Sequence, residues 1–131
     1  MQNPEFYLAD KDMSKKPFFN FTFLKNNIKK QENKKILDKI YRVSQHTIQE
    51  WKQMPREYGG FNYISDKDSN IPFNLTQDII FFLKEHMDYK IDTYPKKFIY
   101  FRVGKIERMY GLLIKNYFIA LFLDYKKDAQ K

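Results

Sequence analysis

The sequence predicts an α+β domain: an N-terminal strand and a long helix packed on a C-terminal antiparallel three-stranded meander. Three observations predict it. The last third of the chain holds three apolar runs, "KKFIYFRV", "IERMYGLLI" and "YFIALFLDY", separated by Gly104-Lys105 and Lys115-Asn116. Each separator contains a residue, Gly104 or Asn116, that tolerates the left-handed backbone of a tight hairpin. Residues 33–54 instead repeat apolar side chains at helical spacing. Helical and extended patterns are segregated along the chain, so helices on one face of an antiparallel sheet are expected.

The elements follow in order. Residues 1–16 are polar and read as a flexible leader, and residues 17–131 as one domain. In "FFNFTFL", Phe19, Phe21 and Phe23 alternate with smaller residues, the period of a half-buried strand. From Asn33 to Met54, the residues Leu37, Ile40, Tyr41, Ser44, Ile48 and Trp51 form one stripe, with Lys35, Lys39 and Arg42 on another face. Pro55 ends this helix, because proline disfavours helical backbone in the residue before it. Gly59-Gly60 permits a sharp turn, "FNYI" suits a short strand, and "SDKDSN" reads as a solvated loop. Thr76 with Asp78 suits a helix start. A short helix over "QDIIFFLKEHMD" follows, although the continuous run "IIFFL" also fits a buried strand.

Composition removes several function classes. With no cysteine, thiol catalysis, disulfides and cysteine-based metal sites are absent. His46 and His86 fall on separate predicted helices without the spacing of a zinc site. His46 is expected to face solvent, and His86 is the better general-base candidate. No phosphate-binding glycine loop or serine-nucleophile elbow is present, and "SDKDSN" lacks the central glycine and terminal glutamate of a calcium loop. No metal or cofactor is expected. The N-terminus lacks the apolar segment of a signal peptide, and "FIALFL" is too short to span a bilayer, so the expectation is a cytoplasmic protein with no membrane contact.

The net charge is +8, and residues 96–131 carry nine Lys or Arg against three acids. A positive surface of this kind attracts phosphate. With two-residue hairpin loops, Arg102 would oppose Glu107, and Glu107 would oppose Asp124, on one face. Arg108 would then point to the other face among Phe101, Val103, Leu121 and Leu123, where an unpaired charge is costly. One extra residue beside Gly104 would return Arg108 to the charged face. Arg102, Lys105 and Arg108 would then converge with Tyr110, Tyr125 and Lys126. Arginine binds phosphate bidentately, and tyrosine stacks on exposed bases. In RNA cleavage the cations would stabilise the phosphate, and Glu107 or Tyr125 would move protons.

The segment "FRVGKIERMYGLLIKNYFIALFLDYKKDAQ" resembles the C-terminal sheet of the RelE/ParE-type toxins of toxin–antitoxin modules. The resemblance rests on Arg102-Val103-Gly104, Arg108, Tyr110 and Tyr125-Lys126-Lys127. The spacing from Gly104 to Arg108 is one residue longer than the usual pattern, which is where the extra residue would sit. The resemblance implies a toxin acting on RNA or translation, as a metal-independent endoribonuclease. Arg102, Glu107, Arg108 and Tyr125 would be catalytic; Lys97, Lys105, Tyr110, Lys126 and Lys127 would contact RNA. RNA or the ribosome would be the target, and an acidic antitoxin a partner. The same features are similar to small phage and plasmid proteins. The competing expectation is therefore a non-enzymatic phage or mobile-element protein that grips nucleic acid or inhibits a host protein complex.

Overall fold

In the computed structural model, residues 13–24, 33–65, 77–87 and 97–126 are described. The three apolar runs form β3 (Lys97–Arg102), β4 (Arg108–Ile114) and β5 (Tyr117–Asp124), an antiparallel meander as expected. Two further strands extend it. β2 (Asn62–Ser65), the predicted "FNYI" strand, pairs antiparallel with β3, and β1 (Phe18–Asn20) pairs parallel with β5. The sheet is thus five-stranded and mixed, in the order β1-β5-β4-β3-β2.

The helices cover both faces of this sheet, which corrects the expectation that they share one. α1 (Asn33–Ser44) and α2 (Ile48–Gln53) put Ile36, Ile40, Val43, Ile48 and Trp51 against Ile99, Phe101, Met109, Leu113, Phe118 and Ala120. α3 (Gln77–Met87) puts Ile79 and Leu83 against Phe98, Tyr100, Tyr110, Leu112, Ile114 and Ile119. Every residue of β4 is buried. A strand buried on both faces reads as a continuous apolar run instead of an alternation. That is why "MYGLLI" shows no period of two.

The predicted 33–54 helix is two helices. Thr47 caps α2: Glu50 N–H donates to Thr47 Oγ1 at 3.1 Å, and Thr47 N–H donates to Glu50 Oε1 at 2.7 Å. This reciprocal capping box interrupts the helical register after Ser44. The buried stripe of α1 is consequently Ile36, Ile40 and Val43, while Leu37 and Tyr41 are exposed. α2 ends at Gln53, and Met54 is extended before Pro55. The capped end also meets the close of the predicted leader. Ile48 N–H donates to Lys15 O at 2.8 Å, and Gln49 N–H to Met13 O at 3.0 Å. Residues 1–12, Thr76, and the "SDKDSN" segment from Asp66 onward lie outside the described residues.

β1 ends at Asn20, so the phenylalanine alternation does not continue as a strand. Phe19 packs on the α1–α2 side, whereas Phe23 packs on the α3 side, with its ring 5.4 Å from Phe82. Trp51 anchors the α1–α2 side. It is fully buried, contacts the rings of Phe19, Phe61, Phe101 and Phe118, and donates Nε1–H to Gly59 O at 2.8 Å. Gly59 closes a 3-10 turn, Arg56–Tyr58, with a φ of 107°, a left-handed conformation that suits glycine.

Two features set the register. The β3–β4 connection holds three residues, Gly104, Lys105 and Ile106, with Val103 N–H donating to Glu107 O at 3.0 Å. Arg102 therefore opposes Arg108, not Glu107. In β5, Tyr110 pairs with Phe122 but Gly111 pairs with Ala120, leaving Leu121 as an extra residue. This bulge makes Asp124 oppose Arg108 instead of Glu107. At the β4–β5 turn the left-handed residue is Lys115, with φ 56°, and not Asn116.

Gly111 sits at the bulge, where an added Cβ would run into Ile119 O and the Phe118 ring. Gly111→Ala is expected to cost about 1–3 kcal/mol by overpacking, read as a lowered midpoint in thermal unfolding. A second expectation concerns alkaline pH. Burial pushes the Tyr63 phenol up to about 12 from 10.0. The fold favours the neutral phenol, so this contribution is complete below pH 10 and is lost as pH rises towards 12. Urea unfolding between pH 9 and 12 should show stability falling in the native protein and a shallower fall in Tyr63→Phe.

Candidate functional site

The three-residue β3–β4 loop decides which charged side chains meet. Because Arg102 and Arg108 are directly opposed, they share a face, and two residues back Tyr100 and Tyr110 share it too. The two tyrosine rings stack with centroids 5.2 Å apart and an interplanar angle of 25°. The 3-10 turn adds a third cation from outside the sheet. It lies along β3 just ahead of β2, and Arg56 Nη2 donates to the Tyr100 hydroxyl at 3.2 Å.

The three arginines differ in depth. Arg56 is exposed, Arg102 is half-buried, and Arg108 is only 2% exposed. Arg108 Nη1 donates to Ile106 O at 2.6 Å, a bond that also shapes the loop. The Nε groups of Arg102 and Arg108 are buried without a hydrogen-bond partner. Among the described residues, neither Arg102 nor Arg108 has a carboxylate within ion-pair reach. Asp124 stands opposite Arg108 in β5, and its Oδ1 accepts from Lys126 N–H at 3.0 Å. Burial depresses the Arg108 pKa, with the neighbouring Arg102 charge adding to the effect. Tyr110 and Tyr100 oppose that depression, and Arg56 reinforces it.

The other expected site residues are distributed elsewhere. Glu107 lies on the opposite, α1-facing side of the sheet. Its carboxylate folds over Gly104 and lies 3.9 Å from Lys35 Nζ of α1. Gly104 has no left-handed φ, and a Cβ there would meet only the movable carboxylate end of Glu107. Tyr125 packs against the same α1–α2 side, away from the arginine pair. Tyr110 is fully buried beneath the sheet surface, so it is not an open stacking platform. Lys105 and Lys126 are exposed. Lys97 occupies the first position of β3, opposite Ser65. Lys127 lies outside the described residues. His46 Nδ1 is 3.9 Å from Glu50, and the His86 ring is 5.1 Å from Phe82 on α3. Of the expected convergence, Arg102, Arg108 and Tyr110 share one face, and Tyr125 lies on the other.

Two members of the cluster, Tyr100 and Arg56, were not predicted. Tyr100 carries a signal, since it lies two residues before Arg102 and must share its face. Arg56 carries none, because its approach depends on how the 3-10 turn passes the end of β3.

Among the described residues, no group of three His, Asp or Glu side chains is placed to hold a metal ion. No described helix is long and apolar enough to cross a membrane. Comparisons with protein-family models, curated proteins and solved structures find no match.

What remains is a cationic site backed by an aromatic pair, with its nearest described carboxylates engaged elsewhere. A buried charge without a counter-ion opposes folding. Arg108→Met is therefore expected to leave stability unchanged or raise it by up to about 2 kcal/mol. Arg108→Ala, which adds a cavity, should lower it. Thermal unfolding of the two variants beside the native protein checks both outcomes.

Proposed function

We propose that the protein binds single-stranded nucleic acid, RNA foremost, through the Arg56–Arg102–Arg108 cluster at the end of its sheet. The observation that carries this reading is the direct opposition of Arg102 and Arg108 without a carboxylate in ion-pair reach among the described residues. Two like charges held face to face are retained at a cost, and a phosphate between or above them offsets it. Exposed Arg56 and Lys105 flank the approach. Tyr58, 59% exposed on the same 3-10 turn as Arg56, offers a ring on which an unpaired base stacks.

The binding is non-enzymatic in this reading. Glu107, the expected proton-transfer group, is separated from the arginine pair by the sheet itself. A RelE/ParE-like endoribonuclease acting on RNA or translation is the second reading. Its support is that Arg102 and Arg108, which carried the resemblance, are brought together. The test for both is fluorescence anisotropy with a labelled single-stranded RNA across a salt series, followed by gel analysis of the same RNA. Binding should weaken with salt with a logarithmic slope of about −2 if three phosphates are neutralised. Arg56→Ala combined with Arg102→Ala should reduce that slope and the affinity, and the RNA should stay intact. Salt-independent or absent binding sinks the proposal. Strand scission that depends on Arg102 replaces it with the nuclease reading.

A further inference from the structure

We infer that the arginine cluster recognises a phosphate monoester at a chain end rather than an internal phosphodiester. This rests on the nucleic-acid reading above and specifies which part of the strand the cluster takes. The first argument is charge. An internal phosphodiester carries one negative charge, whereas a terminal monoester carries about −1.5 to −2 near neutral pH. The cluster presents three guanidinium groups, one buried and one half-buried, with no carboxylate in ion-pair reach of Arg102 or Arg108 among the described residues. The attraction of a partly desolvated cation pair scales with ligand charge, so the dianion is favoured.

The second argument is the arrangement in depth. Arg56 is outside, Arg102 is halfway in, and Arg108 lies behind with Nη1 committed to Ile106 O. A strand running across the site meets Arg56, and the sugar on each side of a doubly esterified phosphate hinders its approach to half-buried Arg102. A terminal phosphate has three unesterified oxygens and one tether, and it enters end-on. Arg56 and Arg102 are the contacting groups. Arg108, beneath them, acts as a fixed charge whose field is weakly screened. Among the described residues, Tyr100, Tyr110 and Asp124 also stand at the site, and the carboxylate of Asp124 accepts from Lys126 N–H.

The experiment compares one RNA sequence bearing a 5′-phosphate, a 3′-phosphate or hydroxyls at both ends, with the full-length protein at fixed salt. At least one phosphorylated end should bind about tenfold or more tightly than the hydroxyl form. Arg102→Gln should abolish the preference, and Arg108→Met, chosen to preserve the fold, should reduce it. Equal, salt-dependent binding of all three RNAs overturns this inference and leaves the nucleic-acid reading intact. No binding of any RNA overturns both. Competition arms use inorganic phosphate and a nucleoside monophosphate. If either displaces the strand as well as a phosphorylated oligonucleotide does, the ligand is a free phosphate compound and the chain-end assignment is overturned.

Discussion

The constraint on which the rest depends is that β4 has no solvent face. All seven of its residues are buried, so both sides of the central strand need a cover. Apolar burial contributes roughly 25 cal/mol per Å², and β4 collects it from both directions. α1 and α2 supply one cover and α3 the other. The polar residue at the end of such a strand is then committed to an interior position. Arg108 is that residue. Its burial follows from its place in β4, and the hydrogen bond to Ile106 O is the local accommodation.

The opposition of Arg102 and Arg108 has a cost that a different loop length would have avoided. With a two-residue turn, Arg102 would have faced Glu107 and gained a cross-strand attraction. The three-residue turn instead sends Glu107 across to Lys35 and leaves two cations facing each other. Local consistency between sequence and fold is the rule in folded proteins, and departures cluster at functional or strained sites. The end of the β3–β4 hairpin is such a departure.

Much of the fold was legible. The three strands of the meander, the short strand at Asn62–Ser65 and the helix at Gln77–Met87 follow from apolar runs and turn residues. The split at Thr47 was also written in the sequence, as Thr47-Ile48-Gln49-Glu50, but a continuous helical stripe across it concealed the signal. That stripe was one position out of phase in α1, because Leu37 and Tyr41 look as apolar as Ile36 and Val43. The covers on both faces were not legible, since a strand buried twice and a strand buried once differ only in which polar residues are missing. At the site, the extra residue after Gly104 was visible as a spacing. Its partner irregularity at Leu121 was not, because a bulge within an apolar run replaces one aliphatic residue by another. Arg56 was invisible for a different reason: its position is a property of the path between α2 and β2.

The bulge at Leu121 has a consequence for how this sequence tolerates change in length. Every residue of β5 after it, including Leu123 and Asp124, is set to its side of the sheet by that single insertion. Loss of Leu121 would close the ladder into a regular pairing and keep Leu123 opposite Met109 and Asp124 opposite Arg108, whereas closing it with every residue kept would set Leu123 towards the arginines and Asp124 towards the tryptophan side. Substitutions along the same segment exchange one apolar group for another and keep the parity. At this point of β5 the chain can shorten by one residue without changing which side of the sheet the strand's end presents.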